Sequence, residues 1–301
     1  MSASVPRMAM AFLVAALAVL GAAPAQAFVA PSKYALTGGT AAARGDAPLR
    51  ATAAAGTRVY AGSTTHGEMP LVIEVRNNRV TRVVAEYQDA CFAYGHDGKG
   101  PALTGAALGR TGRASVKVTS KINDTSTIFR SDGAPIDSVV EQVKGTFGAK
   151  TATGTIRATA IRSDGSTCQS SVDAFRLTHQ QGRYFGGVTS QHMPVVLELV
   201  PSRAEVHHLH VGWFGRCQDG SYNVVPDFLV AFPITGGVWG DIFTQNFTTP
   251  TLTYTASYDI HGTLGATKGA GRLSVNVQGV DANGAVQDAC STGTVRFAVA
   301  S

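Results

Sequence analysis

"YAGSTTHGEMPLVIEV", residues 60–75, returns further along the chain as "YFGGVTSQHMPVVLEL", residues 184–199. At an offset of 124, Tyr60, Gly62, Thr65, Met69, Pro70 and Glu74 meet Tyr184, Gly186, Thr189, Met193, Pro194 and Glu198. Two further echoes follow: "GTFGAKTATG" (145–154) with "GTLGATKGAG" (262–271), and "CQSSVDAF" (168–175) with "CSTGTVRF" (290–297). The offsets drift, as they do when loops change length and strands do not. An internal repeat of this kind predicts two copies of one module, at 58–180 and 182–301.

Within each copy the apolar period is two. Leu71, Ile73 and Val75 alternate with Val72 and Glu74, and Thr155 to Ile161 is β-branched and alternating. Short runs of this type, broken by Gly, Asn, Asp and Ser about every ten residues, read as strands. "RNNR" (76–79) has the composition of a tight hairpin turn. The nearest approach to a helix, Ser138 to Lys144, also reads as strand. The fold class expected is all-β: two tandem β-sandwich modules, jelly-roll or barrel-like, related by internal duplication. One continuous sandwich built from the two halves is the alternative.

The duplication extends to the cysteines, since Cys91 matches Cys217 and Cys168 matches Cys290. Four cysteines allow three pairings. Pairing Cys91 with Cys168 and Cys217 with Cys290 keeps each module self-contained, and each bridge would close a loop of about 75 residues, stabilising by about 4 to 5 kcal/mol. No close pair such as CxxC exists to hold zinc.

The order YxG, a central strand, a cysteine, a GTxxG turn and a second cysteine before a last strand resembles a module of uncharacterised secreted bacterial proteins, found singly or in tandem. The resemblance implies fold and export, and it carries over no functional residue.

The amino-terminal end agrees with export. Arg7 precedes an uncharged run from Met8 to Ala23, then Pro24, Ala25, Gln26 and Ala27, which reads as a signal peptide (1–27) cut before Phe28. Residues 28–57, rich in Ala, Gly, Thr and Pro, read as a disordered tether. Arg44, Gly45 and Asp46 within it form a common tripeptide that three frequent residues produce by chance. No later apolar stretch has membrane-spanning length, so the expected product is secreted, extracellular or held at the cell surface.

Charge is uneven. Residues 28–183 carry 19 Lys and Arg against 12 Asp and Glu, whereas 184–301 carry 5 against 8. The basic first module suits an anionic surface such as a wall polymer or lipid head groups. No nucleic-acid-binding motif occurs.

No catalytic signature is present: GxSxG, HExxH and phosphate loops are all missing. Glu74 and Glu198 recur, one per module, too far apart to act together on one bond. In "EVHHLHVGWFGRC" (205–217), alternation turns His208 and His210 outward as an exposed pair without a third metal ligand, and turns Trp213 inward. The candidate ligand-binding residues are Trp239, flanked by glycines as an exposed ring would be, with Tyr222, and the loop residues Asp89, His96 and Asp219. No cofactor, metal or catalytic residue is assigned. The function expected is a non-catalytic extracellular binding or surface-associated protein for a cell-wall polymer or glycan; a polysaccharide-acting enzyme and a structural surface component are the alternatives.

Overall fold

The computed structural model describes residues 32–36, 56–65, 69–88, 92–99, 102–121, 126–130 and 135–301. Among these the regular structure is β throughout, with no α-helix. The strands are β1 (Ser32–Leu36), β2 (Arg58–Thr64), β3 (Pro70–Arg76), β4 (Arg79–Gln88), β5 (Phe92–Lys99), β6 (Leu103–Thr104), β7 (Arg113–Lys121), β8 (Ser126–Arg130), β9 (Ile136–Phe147), β10 (Thr151–Arg162) and β11 (Thr167–Gln169). They continue with β12 (Asp173–Thr178), β13 (Tyr184–Thr189), β14 (Pro194–Leu199), β15 (Glu205–Cys217), β16 (Tyr222–Pro233), β17 (Val238–Thr248), β18 (Thr253–Leu264), β19 (Lys268–Val280), β20 (Val286–Ser291) and β21 (Val295–Ala300).

The expected alternation makes these strands. β9, which contains the helix-like Ser138 to Lys144, buries Ile136, Val139, Glu141, Val143 and Phe147 and leaves their neighbours more open. At the predicted hairpin both Asn77 and Asn78 take positive φ, 50° and 53°. That is the conformation of a type I′ two-residue turn, which asparagine tolerates because its side chain bonds locally.

The strands form two antiparallel sheets. In the second, β13 pairs β14, β14 pairs β15, β15 meets β20 at Arg216↔Ser291 and Cys217↔Cys290, β20 pairs β19, β19 pairs β21, and β21 returns to β13. These six strands close into a barrel; β16 adds to the free edge of β15, and β17 and β18 extend from β19. The first sheet runs β7–β9–β10–β12–β2–β3–β4–β5–β8, with β11 beside β12 on β10. β1 joins the sheets, pairing β16 through Ser32 to Tyr34 and β8 through Ala35 and Leu36. A segment of the expected tether is therefore a strand; residues 28–31 and 37–55 lie outside the described residues.

Cys217 and Cys290 are bonded, as the repeat predicts, and staple β15 to β20. Cys168, on β11, is also disulfide-bonded; Cys91 lies outside the described residues.

Each sheet wraps its own apolar core. Tyr60, Leu71, Ile73, Tyr87 and Phe92 anchor the first, and Phe185, Leu197, Trp213, Tyr258 and Phe297 the second. Between the sheets lies a third apolar layer: Val59, Ala61, Val72 and Val84 from the first against Val188 and Val196 from the second. β3 is therefore buried on both faces. Close approach depends on Gly186, where a Cβ would press into Val72 and Val59. Each valine wholly removed from water contributes about 1.5 to 3 kcal/mol, so the contact locks the two sheets together.

The register corrects one alignment made from sequence. Tyr60 pairs Ile73, whereas Phe185, not Tyr184, pairs Leu197, the residue 124 positions after Ile73. The reason is loop length. Thr64 N–H bonds Met69 O (3.0 Å) and Thr189 N–H bonds Met193 O (2.8 Å), so the second loop is one residue shorter.

Candidate functional site

The recurring glutamates are ion-pair partners within their own sheets. Glu74 sits opposite Arg82 in the β3–β4 register, with Arg82 Nη1 3.1 Å from Glu74 Oε1. Arg82 also grips Asp97, Nε to Oδ1 at 2.5 Å and Nη2 to Oδ2 at 2.9 Å. Lys99 reaches the same carboxylate at 3.3 Å. Burial works against charge on both Arg82 and Asp97, yet the paired charges win: the Asp97 carboxyl is held below its ordinary range, and the guanidinium proton is held more tightly still. In the second sheet Glu198 sits opposite His208, Oε2 3.0 Å from Nδ1, and takes Tyr184 (2.5 Å) and Arg183 (3.2 Å) on Oε1. Burial alone would raise the Glu198 carboxyl; these donors and charges bring it down. His208 is thus spoken for, its ring 5.0 Å from that of Phe228, and the outward histidine pair is half-buried rather than exposed.

A second polar cluster lies deeper. Glu86 projects from β4 into the space between the sheets, wholly buried, against Gly212 of β15, where a Cβ would collide with its carboxyl group. Its Oε1 accepts a hydrogen bond from Gln88 Nε2 (3.0 Å), and its Oε2 has no partner. On the inner face of the second sheet, Asp227 pairs in register with Val211 and accepts a bond from Trp213 Nε1–H at 2.5 Å. Burial raises Glu86 to about 8, with the Asp227 charge a smaller contributor. Asp227 rises to about 6 for the same reason, despite the indole N–H and Tyr258 beside it. Neither acid can reach a substrate, because both are enclosed by packed sheet.

Three of the nominated ligand residues prove to be structural. Trp239 is only 2 % exposed. It pairs with Gly262, whose missing side chain leaves space for the indole, and its ring packs on Phe232 (5.6 Å) and Phe297 (6.0 Å). The glycine across the strand pair therefore makes a pocket for the ring inside the core, and the expectation of an exposed platform is corrected. Tyr222 is buried at the sheet contact, its ring 6.0 Å from that of Phe214. His96 pairs with Ala85 in the first sheet and is 1 % exposed; burial lowers its imidazole to about 4, so it is neutral at pH 7. Asp219 is exposed, but its Oδ1 accepts from Ser221 N–H (2.9 Å) and Ser221 Oγ–H (2.5 Å), which is turn stabilisation. Asp89 lies outside the described residues. Among the described residues, the one cluster with metal-ligand spacing is Cys217, Asp288 and Cys290, and the disulfide consumes both sulfurs.

Sequence reasoning missed a surface. The outer face of β7, β9, β10 and β12 turns away from the first core and from the other sheet. Register lines up Arg113, Thr146, Thr153 and Arg176 in one row, Ser115, Lys144, Thr155 and Ala174 in the next, and Lys117, Gln142 and Arg157 in a third. An open groove of about 700 Å³ lies on the β7, β9 and β10 part of this face, lined among others by Gly105, Arg113, Ser115, Lys144, Thr153 and Thr155. The signal available beforehand was the alternation of basic and hydroxyl residues along "RASVK" (113–117) and "TGTIR" (153–157). The chain matches no family model, no curated protein and no solved structure.

Proposed function

We propose that the protein is an exported, non-catalytic binding or surface-associated protein, made of two tandem copies of one β module, whose ligand is an extended polymer of the cell envelope. The observation that carries this reading is the broad outer face of β7, β9, β10 and β12, which remains open to solvent and grooved while the opposite halves of both sheets are consumed in packing against each other. An open, shallow face suits a chain laid along it, whereas turnover of a small substrate calls for an enclosing pocket with convergent groups.

The duplication is supported by the order of pairings. β2–β3–β4–β5 and β13–β14–β15–β16 are the same antiparallel meander, and β7–β9–β10 with β11 and β12 on one edge repeats as β17–β18–β19 with β20 and β21 on one edge. The glycine pairs of the repeat support it too. Gly154 lies opposite Phe175 and Gly271 opposite Phe297, and in each case the phenylalanine ring fills the volume that a glycine Cβ would take. Export is supported by the disulfide, which persists in an oxidising compartment.

Cosedimentation of the oxidised chain with purified envelope from its host tests the reading. Saturable pelleting, competed by soluble envelope polysaccharide, is the expected result. A chain that stays in the supernatant with every envelope fraction would overturn it.

A further inference from the structure

Building on the binding-protein reading, we infer that the groove on the first sheet, lined by Arg113 and Lys144 and flanked on the same face by Lys117, Arg157 and Arg176, is a site for an acidic polysaccharide. All five project from one sheet face. Arg113 and Lys117 stand on β7, Lys144 on β9, Arg157 on β10 and Arg176 on β12, in the register already given. With about 3.4 Å per residue along a strand and about 4.8 Å between strands, Lys144 lies about 8 Å from Arg113, Lys117 and Arg157 at the backbone. The cations thus form a lattice around a central lysine, with spacings on the scale of one or two sugar residues.

Charge complementarity selects the ligand. None of the five cations makes an ion pair among the described residues. The acids of the same strands point elsewhere: Glu141 is wholly buried on the core side of β9, Asp173 is buried at the start of β12, and Asp137 stands at the far end of β9. A group of cations held apart on a rigid scaffold, without local counter-charge, leaves a field that a polyanion can neutralise. The gaps between the cations are filled by Ser115, Thr146, Thr153 and Thr155, whose hydroxyls both donate and accept hydrogen bonds and so match the hydroxyls of a sugar ring. No aromatic ring stands among the residues of these rows, so there is no platform on which a nucleobase would stack. Each exposed cation–carboxylate contact is weak and salt-sensitive. Affinity therefore accumulates from several contacts along one polymer.

Titration calorimetry of the oxidised full chain against polygalacturonate provides the test, with neutral galactan, duplex DNA and anionic phosphatidylglycerol vesicles as comparison probes. The expected result is binding to polygalacturonate that weakens about tenfold or more between about 50 and 200 mM salt and is stronger than binding to the other three. Lys144→Gln with Arg157→Gln should weaken it about tenfold, whereas Arg272→Gln on the second sheet should leave it unchanged. Both positions are on the solvent face, and a thermal melt checks that each variant is folded. Polygalacturonate binding unaffected by the double substitution, or tighter binding to DNA or vesicles, overturns the inference. If polygalacturonate fails while galactan or envelope still binds, the site assignment falls and the binding-protein reading stands; if nothing binds, both fall.

Discussion

Replacing Glu86 with glutamine should make the protein more stable, and increasingly so as pH rises. Glu86 is wholly buried between the sheets, with one carboxyl oxygen unpartnered against Gly212, and burial lifts it from an ordinary 4.5 to about 8. In the unfolded chain the group ionises near 4.5; in the folded protein it holds its proton to about 8. Between those values unfolding releases a proton, so the folded state loses about 1.4 kcal/mol per pH unit relative to the unfolded one. The native protein should therefore lose about 4 kcal/mol between pH 5 and pH 9 on account of this residue, about 3 kcal/mol of it by pH 7. Glutamine keeps the shape and still offers Gln88 an acceptor, but it does not ionise. Urea unfolding of both proteins at pH 5, 7 and 9 reads the effect: the His96 contribution cancels in the difference, and the Asp227 charge, a smaller contributor to the Glu86 shift, belongs to the same coupled pair. A gap near zero at pH 5 that widens to several kcal/mol at pH 9 is expected. Parallel profiles would refute the reasoning, and with it the face-to-face packing that buries Glu86.

Other outcomes follow from the same contacts. Gly212→Ala should destabilise by about 1 to 3 kcal/mol, since the new Cβ meets the Glu86 carboxyl group, and the Gly212→Ala, Glu86→Ala double variant should recover part of that loss in thermal unfolding. Removing the Cys217–Cys290 bridge, which spans 73 residues, by a double serine substitution should cost about 4 kcal/mol in urea unfolding. Trp239→Ala should cost about 3 to 5 kcal/mol of stability while leaving polymer affinity of the remaining folded protein unchanged, as measured by calorimetry below the unfolding temperature. Arg82→Met leaves Glu74 buried without its cation and Asp97 with only the exposed Lys99, and should cost about 3 to 5 kcal/mol at neutral pH. That variant should also lose its acid sensitivity: with Arg82 present Asp97 titrates below its ordinary value, so its stabilisation is present above about pH 4 and is lost as pH falls.

The all-β class and the Cys217–Cys290 bridge were legible because both rest on local pattern, a period of two and a matched cysteine order. The tight hairpin turn at Asn77 and Asn78 was legible for the same reason, its type I′ geometry only from the positive φ of both residues. What escaped was the second face of the central strands. "PLVIEV" (70–75) is apolar on both faces, which marks a strand covered from two sides, but which partner covers it is a long-range fact that no local period encodes. Trp239 misled because flanking glycines signal a loop as readily as they signal room for a ring; only the cross-strand pairing with Gly262 distinguishes the two. The false match of Tyr60 to Tyr184 came from a one-residue change in loop length, to which strand register is sensitive. The cationic face was half legible: the charge excess of the first half could be counted, but its gathering on one face depends on the pairing of β7, β9, β10 and β12.

We propose that the ligand lies on this face. Lysine acetylation rates, read residue by residue by mass spectrometry with and without polygalacturonate, test it directly. Lys117 and Lys144 should be protected while Lys268, exposed on β19 of the second sheet, reacts at its free rate. Equal protection of all three lysines, or none at Lys117 and Lys144, would contradict it.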